Sequence, residues 1–240
     1  MEAEDQEPRE AVEATFGPVS EHTTTPSVSA RDVLDAFVDP VELGKRLDDP
    51  ELRSHLVQRI VVEHPSVSVR VRATTHPNCP PAALSFAAKH PDSELRAAAA
   101  RHPRCPQSAL ARLVEDTHHT VVTSAARNPT LGSVARAGLA FHHEASIRRL
   151  AALGPLTAEA IARLAVDDDE MVRQSVAGRF HLTPTDVSRL CEDPSPTTRL
   201  RLAEAILDDP FADPRVLDRL GRDPDPDVRA VIARRHGGVA

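Results

Sequence analysis

The chain has 240 residues and a formal net charge of -7. Its hydrophobic content is 40% but its aromatic content only 2%, with six Phe, no Trp and no Tyr. Any core must therefore be assembled from Leu, Val, Ile and Ala, and the 21 prolines exclude long uninterrupted helices. No run of about 18 apolar residues exists to cross a membrane, and the length suits one or two domains.

Residues 1–28 carry Glu2, Glu4, Asp5, Glu7, Glu10, Glu13 and Glu21 against the single base Arg9. Beyond them stand 29 acids and 28 bases, so the remainder is close to neutral. Such an acidic, Ser/Thr/Pro-containing stretch buries too little to offset its ordering entropy and reads as a disordered tail. No basic region followed by an apolar stretch suggests a secretion signal, so a cytoplasmic protein is expected. Residues 29–63 read as an N-terminal helical cap, with Val33, Leu34, Phe37, Leu43, Leu47, Leu52, Leu56 and Ile60 at helical spacing.

From residue 64 to 240 one unit recurs. An aliphatic residue followed by Arg appears as Val69-Arg70, Leu95-Arg96, Ile147-Arg148, Val172-Arg173 and Val228-Arg229, with Val121-Val122 and Thr198-Arg199 as degenerate copies. Successive second positions are 26, 26, 26, 25, 26 and 30 residues apart, and the longer last interval places an insertion near Asp208 to Asp213, expected as a longer loop. Within a unit, prolines such as Pro80 and Pro81 open a short first helix, and His90-Pro91 stops it. A second helix follows over 92–101, with Leu95, Ala98 and Ala99 on one face, ending before His102-Pro103. Helices of about nine residues span only about 14 Å and are marginal alone, so each unit must bury its apolar stripe against the next. The expected architecture is an all-α solenoid of about seven 26-residue two-helix repeats.

The segments HPNCPPAAL, HPRCPQSALARLVED, AEAIARLAVDDDEMVRQSVAGR and LDRLGRDPDPDVRAVIARR together resemble the leucine-rich repeat variant family over about residues 64–236. The resemblance implies a right-handed, HEAT-like superhelix of alternating short helices, with room for a 3-10 helix in each unit, and implies little about function. Some members of that family carry a Cys-rich iron-sulfur domain. Residues 1–78 contain no Cys here, so no such cofactor is expected.

Chemistry-bearing residues fall into repeat registers. Arg70, Arg96, Arg148, Arg173, Arg199 and Arg229 form a ladder beside His64, His90, Asp116, His142, Asp167, Asp193 and Asp223. Partnering acids favour structural hydrogen bonds between neighbouring loops over an anion-binding stripe. Arg101, Arg127, Arg179 and Arg234 stand at or near the ends of second helices, where they complement the helix dipole and are candidates to line a partner-binding groove. Arg112, Arg163, Arg189 and Arg219 read as a solvated edge, and His76, His102 and Asn128 as turn and capping residues. His118-His119 and His142-His143-Glu144 invite a metal, but adjacent residues usually point apart and no metal site is expected. Cys79 and Cys105, 26 residues apart, are expected as buried free thiols.

No nucleophile elbow, phosphate loop, dinucleotide fingerprint or zinc-protease motif occurs. The sequence therefore points to a non-catalytic, monomeric scaffold or adaptor that binds a protein partner without cofactor or metal. The alternative is a HEAT-like nucleic-acid-binding protein or DNA glycosylase-type enzyme. The near-neutral repeats and the lack of Trp and Tyr speak against nucleic acid, and no membrane partner is expected.

Overall fold

The computed structural model describes residues 40–179, 182–207 and 209–237. The expected acidic tail, residues 29–39 of the cap and Asp208 lie outside the described residues. All regular structure among the described residues is helical. After α1 (Pro40–Leu47) the helices pair: α2 (Ser54–Glu63) with α3 (Val67–Thr74), α4 (Pro81–Ala87) with α5 (Ser93–Arg101), and α6 (Gln107–Leu113) with α7 (His119–Ala126). Next come α8 (Ser133–Gly138), continued by a 3-10 turn (Leu139–Phe141), with α9 (Ala145–Ala151), and α10 (Ala158–Leu164) with α11 (Glu170–Ala177). Last are α12 (Pro184–Cys191) with α13 (Pro196–Ile206), and α14 (Pro214–Gly221) with α15 (Pro226–Gly237). The odd-numbered helices from α3 to α15 pack successively on one another as one layer, and their even-numbered partners form the other, which makes an α-solenoid. Within the segment read as the cap, α2 packs on both α3 and α4 as the first member of the first pair.

Local chemistry sets the helix limits. Pro81, Pro184, Pro196 and Pro214 occupy the first turn, where a missing N–H is harmless. Asp92, Thr157, Asp169, Thr183 and Ser195 cap helices by accepting N–H groups of the first turn. The extra residues before Arg229 do not all enter a loop: α13 runs 11 residues against eight in α11, so the helix itself is lengthened.

Leu95, Val121, Ile147, Val172 and Val228 occupy one register of the second helices and are fully buried. Leu84 and Leu110, with Leu113, Leu139, Leu164, Leu190 and Leu220, form the matching buried rows of the first helices. Burying one such side chain contributes about 1.5–3 kcal/mol before ordering entropy is subtracted. Arg136 breaks this pattern, since it stands 26 residues after Leu110 and is only 3% exposed.

Two polar stitches join the units. In the first, an arginine of one second helix reaches the loop of the following unit. Arg96 Nε donates to Asp116 Oδ2, Arg148 Nε to Asp167, Arg173 Nε to Asp193 and Arg199 Nε to Asp223, each at 2.7 Å, and Nη2 completes every bidentate pair. Nη1 of each arginine donates to two carbonyls of its own loop, as Arg148 does to His142 and His143 at 3.0 Å. The carboxylate also accepts the N–H two residues on, for example Asp169 on Asp167 at 2.9 Å. Burial pushes the Asp116 and Asp167 carboxyls up, but their arginines and backbone donors outweigh it and hold both below the ordinary range. Asp223 is held there chiefly by its hydrogen bond with Arg199.

In the second stitch, residues at the start of successive units bond the backbone of the unit before. His76 Nε2 meets Asp49 O at 2.9 Å, His102 Nε2 meets His76 O at 3.1 Å, and Asn128 Nδ2 donates to Ala100 O and His102 O. The other side-chain acceptor of each takes the N–H two residues on, which fixes the histidines as Nε2–H tautomers. Burial pushes the His102 imidazole below its usual range, so it is held neutral.

Candidate interaction surface

The arginines sort into those that the scaffold consumes and those that it leaves open. Arg96, Arg148, Arg173 and Arg199 spend their donors on the clamps just described. Arg70 donates to Val61 O and Val62 O and meets His90 Nε2 at 3.0 Å, and Arg229 donates to Asp223 O and Pro224 O. Arg179, one of the groove candidates, is half-buried, and its Nη1 donates to Ala152 O and Gly154 O. It performs for its unit the task that Asn128 performs two units earlier, which removes it from an open groove. The sequence reading missed this because the dipeptide around Asn128-Pro129 has no counterpart at Arg179.

Arg101, Arg127 and Arg234 are exposed. Arg101 ends α5 and Arg127 caps α7, and between them opens a shallow cleft of about 350 Å³ lined also by His119, Thr120, Thr123 and Ser124. Arg101 Nη1 donates to Ser124 Oγ at 3.3 Å, while Ser124 donates to Thr120 O. Among the described residues no carboxylate pairs with Arg101 or Arg127. Two guanidiniums one unit apart, with hydroxyls between them, make a cationic, hydrogen-bonding floor. Arg234 lies on the last helix, α15, several units away from this cleft.

The first-helix layer carries different features. Arg112, Arg163, Arg189 and Arg219 are exposed there, and Arg163 stacks over Phe141 at 4.8 Å while donating to Ala140 O. An open groove of about 770 Å³ runs between α6 and α8, lined by Ala111, Val114, Val134, Leu139 and Phe141 among others. Arg136 emerges from α8 into the interior, donating to Ala126 O at 2.8 Å and Asn128 O at 3.0 Å, with its Nε unpartnered. Burial first, and then the nearby Arg179 charge, push the Arg136 guanidinium below its usual range. Gly154 makes room for it, since a Cβ there would stand 2.5 Å from Arg136 Cζ.

Cys79 and Cys105 are free and buried, as is Cys191, and burial pushes the thiols of Cys79 and Cys105 up to about 12 and about 11. The expectation that His142, His143 and Glu144 point apart is corrected: one ligand atom from each lies within 4.8 Å of the others. The cause is a tight turn in which His142 Nδ1 accepts the Glu144 N–H at 3.1 Å and the His142 and His143 rings stack at 4.3 Å.

No family model matches the chain, and no curated protein matches it. Among solved structures it is similar to a designed armadillo repeat protein, YIII(Dq.V1)4CPAF, in complex with the peptide (KR)4, at 12% identity and a TM-score of 0.31, over 86% of this chain and 97% of that one. It is similar also to a computationally designed armadillo repeat protein for modular peptide recognition, at 13% identity and a TM-score of 0.30, over 87% and 99% of the two chains. No described helix is long and apolar enough to cross a membrane.

Proposed function

We propose that the protein is a non-catalytic scaffold that binds an acidic segment of a protein partner along the face of its second helices, with Arg101 and Arg127 as the anchors. One observation carries this reading. Where the repeat needs an arginine for its own cohesion, a carboxylate or a row of carbonyls answers it, whereas Arg101 and Arg127 face the same cleft with no acid among the described residues paired to either. A carboxylate entering that cleft can take charge-assisted hydrogen bonds from both guanidiniums and a further one from the exposed Thr120 hydroxyl. A rigid, extended repeat surface adds no folding cost on the scaffold's side. The protein acts as a monomer in the cytoplasm in this reading.

The test is binding of fluorescent peptides rich in Asp and Glu, with neutral peptides of equal length and a DNA duplex as comparisons. Acidic peptides should bind in a salt-sensitive manner, and Arg101→Glu with Arg127→Glu should weaken them at least about tenfold, equivalent to about 1.4 kcal/mol. Preference for the duplex, or acidic peptide binding untouched by the double reversal, would refute the proposal.

A further inference from the structure

Among the described residues the α7–α9 junction lacks the arginine–aspartate clamp that the junctions on either side of it carry. At the α7–α9 step the arginine register holds Val122, which is buried, and the aspartate register holds His142. In their place Glu144 reaches back across the junction, with Oε2 2.9 Å from His119 Nδ1 on α7 and Oε1 3.6 Å from His143 Nε2. His142 lies beside them, its ring stacked on that of His143 at an interplanar angle of 27°.

The geometry points to a binding site for a divalent first-row transition ion, held by His142, His143 and Glu144 with His119 as the outer partner of the carboxylate. Two imidazoles and a carboxylate are a borderline donor set that suits Zn²⁺, and bind Ni²⁺ and Cu²⁺ as well. At bond lengths of about 2.0–2.2 Å, ligand atoms around a tetrahedral ion stand about 3.4 Å apart. The present spread of at most 4.8 Å must contract, and the His143 side chain, 84% exposed, is free to turn inward. Coordination by His142 through Nε2 moves its proton to Nδ1 and gives up the Glu144 N–H bond, so the site binds more weakly than a prebuilt cage. Water completes the coordination shell. His119 holds the second carboxylate oxygen in the manner of an outer-shell ligand, so the ion would tie the 142–144 turn to α7 where the arginine clamp is missing.

The experiment is calorimetric titration of the full chain with Zn²⁺, checked by visible absorption with Co²⁺, together with amide exchange at 118–122 and 142–147. One ion per chain is expected, with slowed exchange at this junction. His143→Ala and Glu144→Gln should each reduce affinity at least about tenfold, whereas His55→Ala, on exposed α2 surface, should leave it unchanged. Because His143 is exposed, its replacement leaves the fold intact, and failure there cannot be blamed on unfolding. Absence of saturation below about 1 mM, or binding that survives both replacements, would overturn the proposal. Acidic-peptide binding at Arg101 and Arg127 is read separately and does not decide it.

Discussion

Removing one half of an arginine clamp should cost far more than removing a surface ion pair, and the Arg148–Asp167 pair shows why. The Asp167 side chain is 4% exposed and that of Arg148 15%, and they share two hydrogen bonds of 2.7 and 2.8 Å. Arg148→Ala leaves the Asp167 carboxylate with the hydrogen bond from the Asp169 N–H, in a site that penalises an unmatched charge. Breaking such a pair from one side costs about 3–5 kcal/mol, and the two single changes should be non-additive by about 1.5–3 kcal/mol when combined with Asp167→Ala. Arg201→Ala, which breaks the exposed Arg201–Glu204 pair, should cost no more than about 0.5 kcal/mol. Urea unfolding followed by circular dichroism measures all four variants. Amide exchange across α9 to α12 locates the loss, because repeat arrays unfold in parts. Single changes at Arg148 and Asp167 that cost less than about 0.5 kcal/mol, or that simply add, would refute the reasoning.

Acid should weaken the fold in two stages. His102 and His142 have folded pKa values below 6.5, so the unfolded chain binds more protons and stability falls as pH drops through and below that value. Asp116, Asp167 and Asp223 lie below 3.8 when folded, so their contribution is present above that value and is lost as pH falls through the folded values. His102→Asn, copying the residue at position 128, should flatten the first stage of a stability-against-pH curve, and an unchanged slope would contradict the assignment. Arg136→Leu restores the residue type of Leu84 and Leu110 and should raise stability by about 1–3 kcal/mol, with Gly154→Ala destabilising only while Arg136 is present. Thermal or urea unfolding of the two single and one double variant checks this. Cys79 and Cys105 should resist alkylation in the folded chain and react on unfolding, as mass spectrometry would show.

Much of the scaffold was legible from spacing. An Arg every 26 residues beside an acid in the following unit identifies the clamp, because equivalent places in stacked units become neighbours in space. The Leu84 and Leu110 register holds the signal for Arg136: a charged residue at a Leu position has to find backbone carbonyls or break the core. Arg179 was misread because its role depends on reach, since a long side chain from a degenerate turn does what a short Asn does elsewhere. The lengthened α13 and the His142–His143–Glu144 turn were equally hidden. Spacing counts residues, but it does not say whether an insertion extends a helix or whether a loop folds adjacent side chains together. Sequence offered Arg101 and Arg127 only as helix-end candidates to line a groove, because spacing does not show the Thr and Ser side chains that lie between them.

The division between arginines that hold the solenoid and arginines that face a partner is tested most directly by titrating one acidic peptide into the wild-type chain, Arg101→Glu/Arg127→Glu and Arg234→Glu. The account predicts that the double variant loses at least about tenfold in affinity with its unfolding curve unchanged, while Arg234→Glu binds as wild type. Equal affinity for all three, or loss of binding only in step with loss of stability, would contradict it.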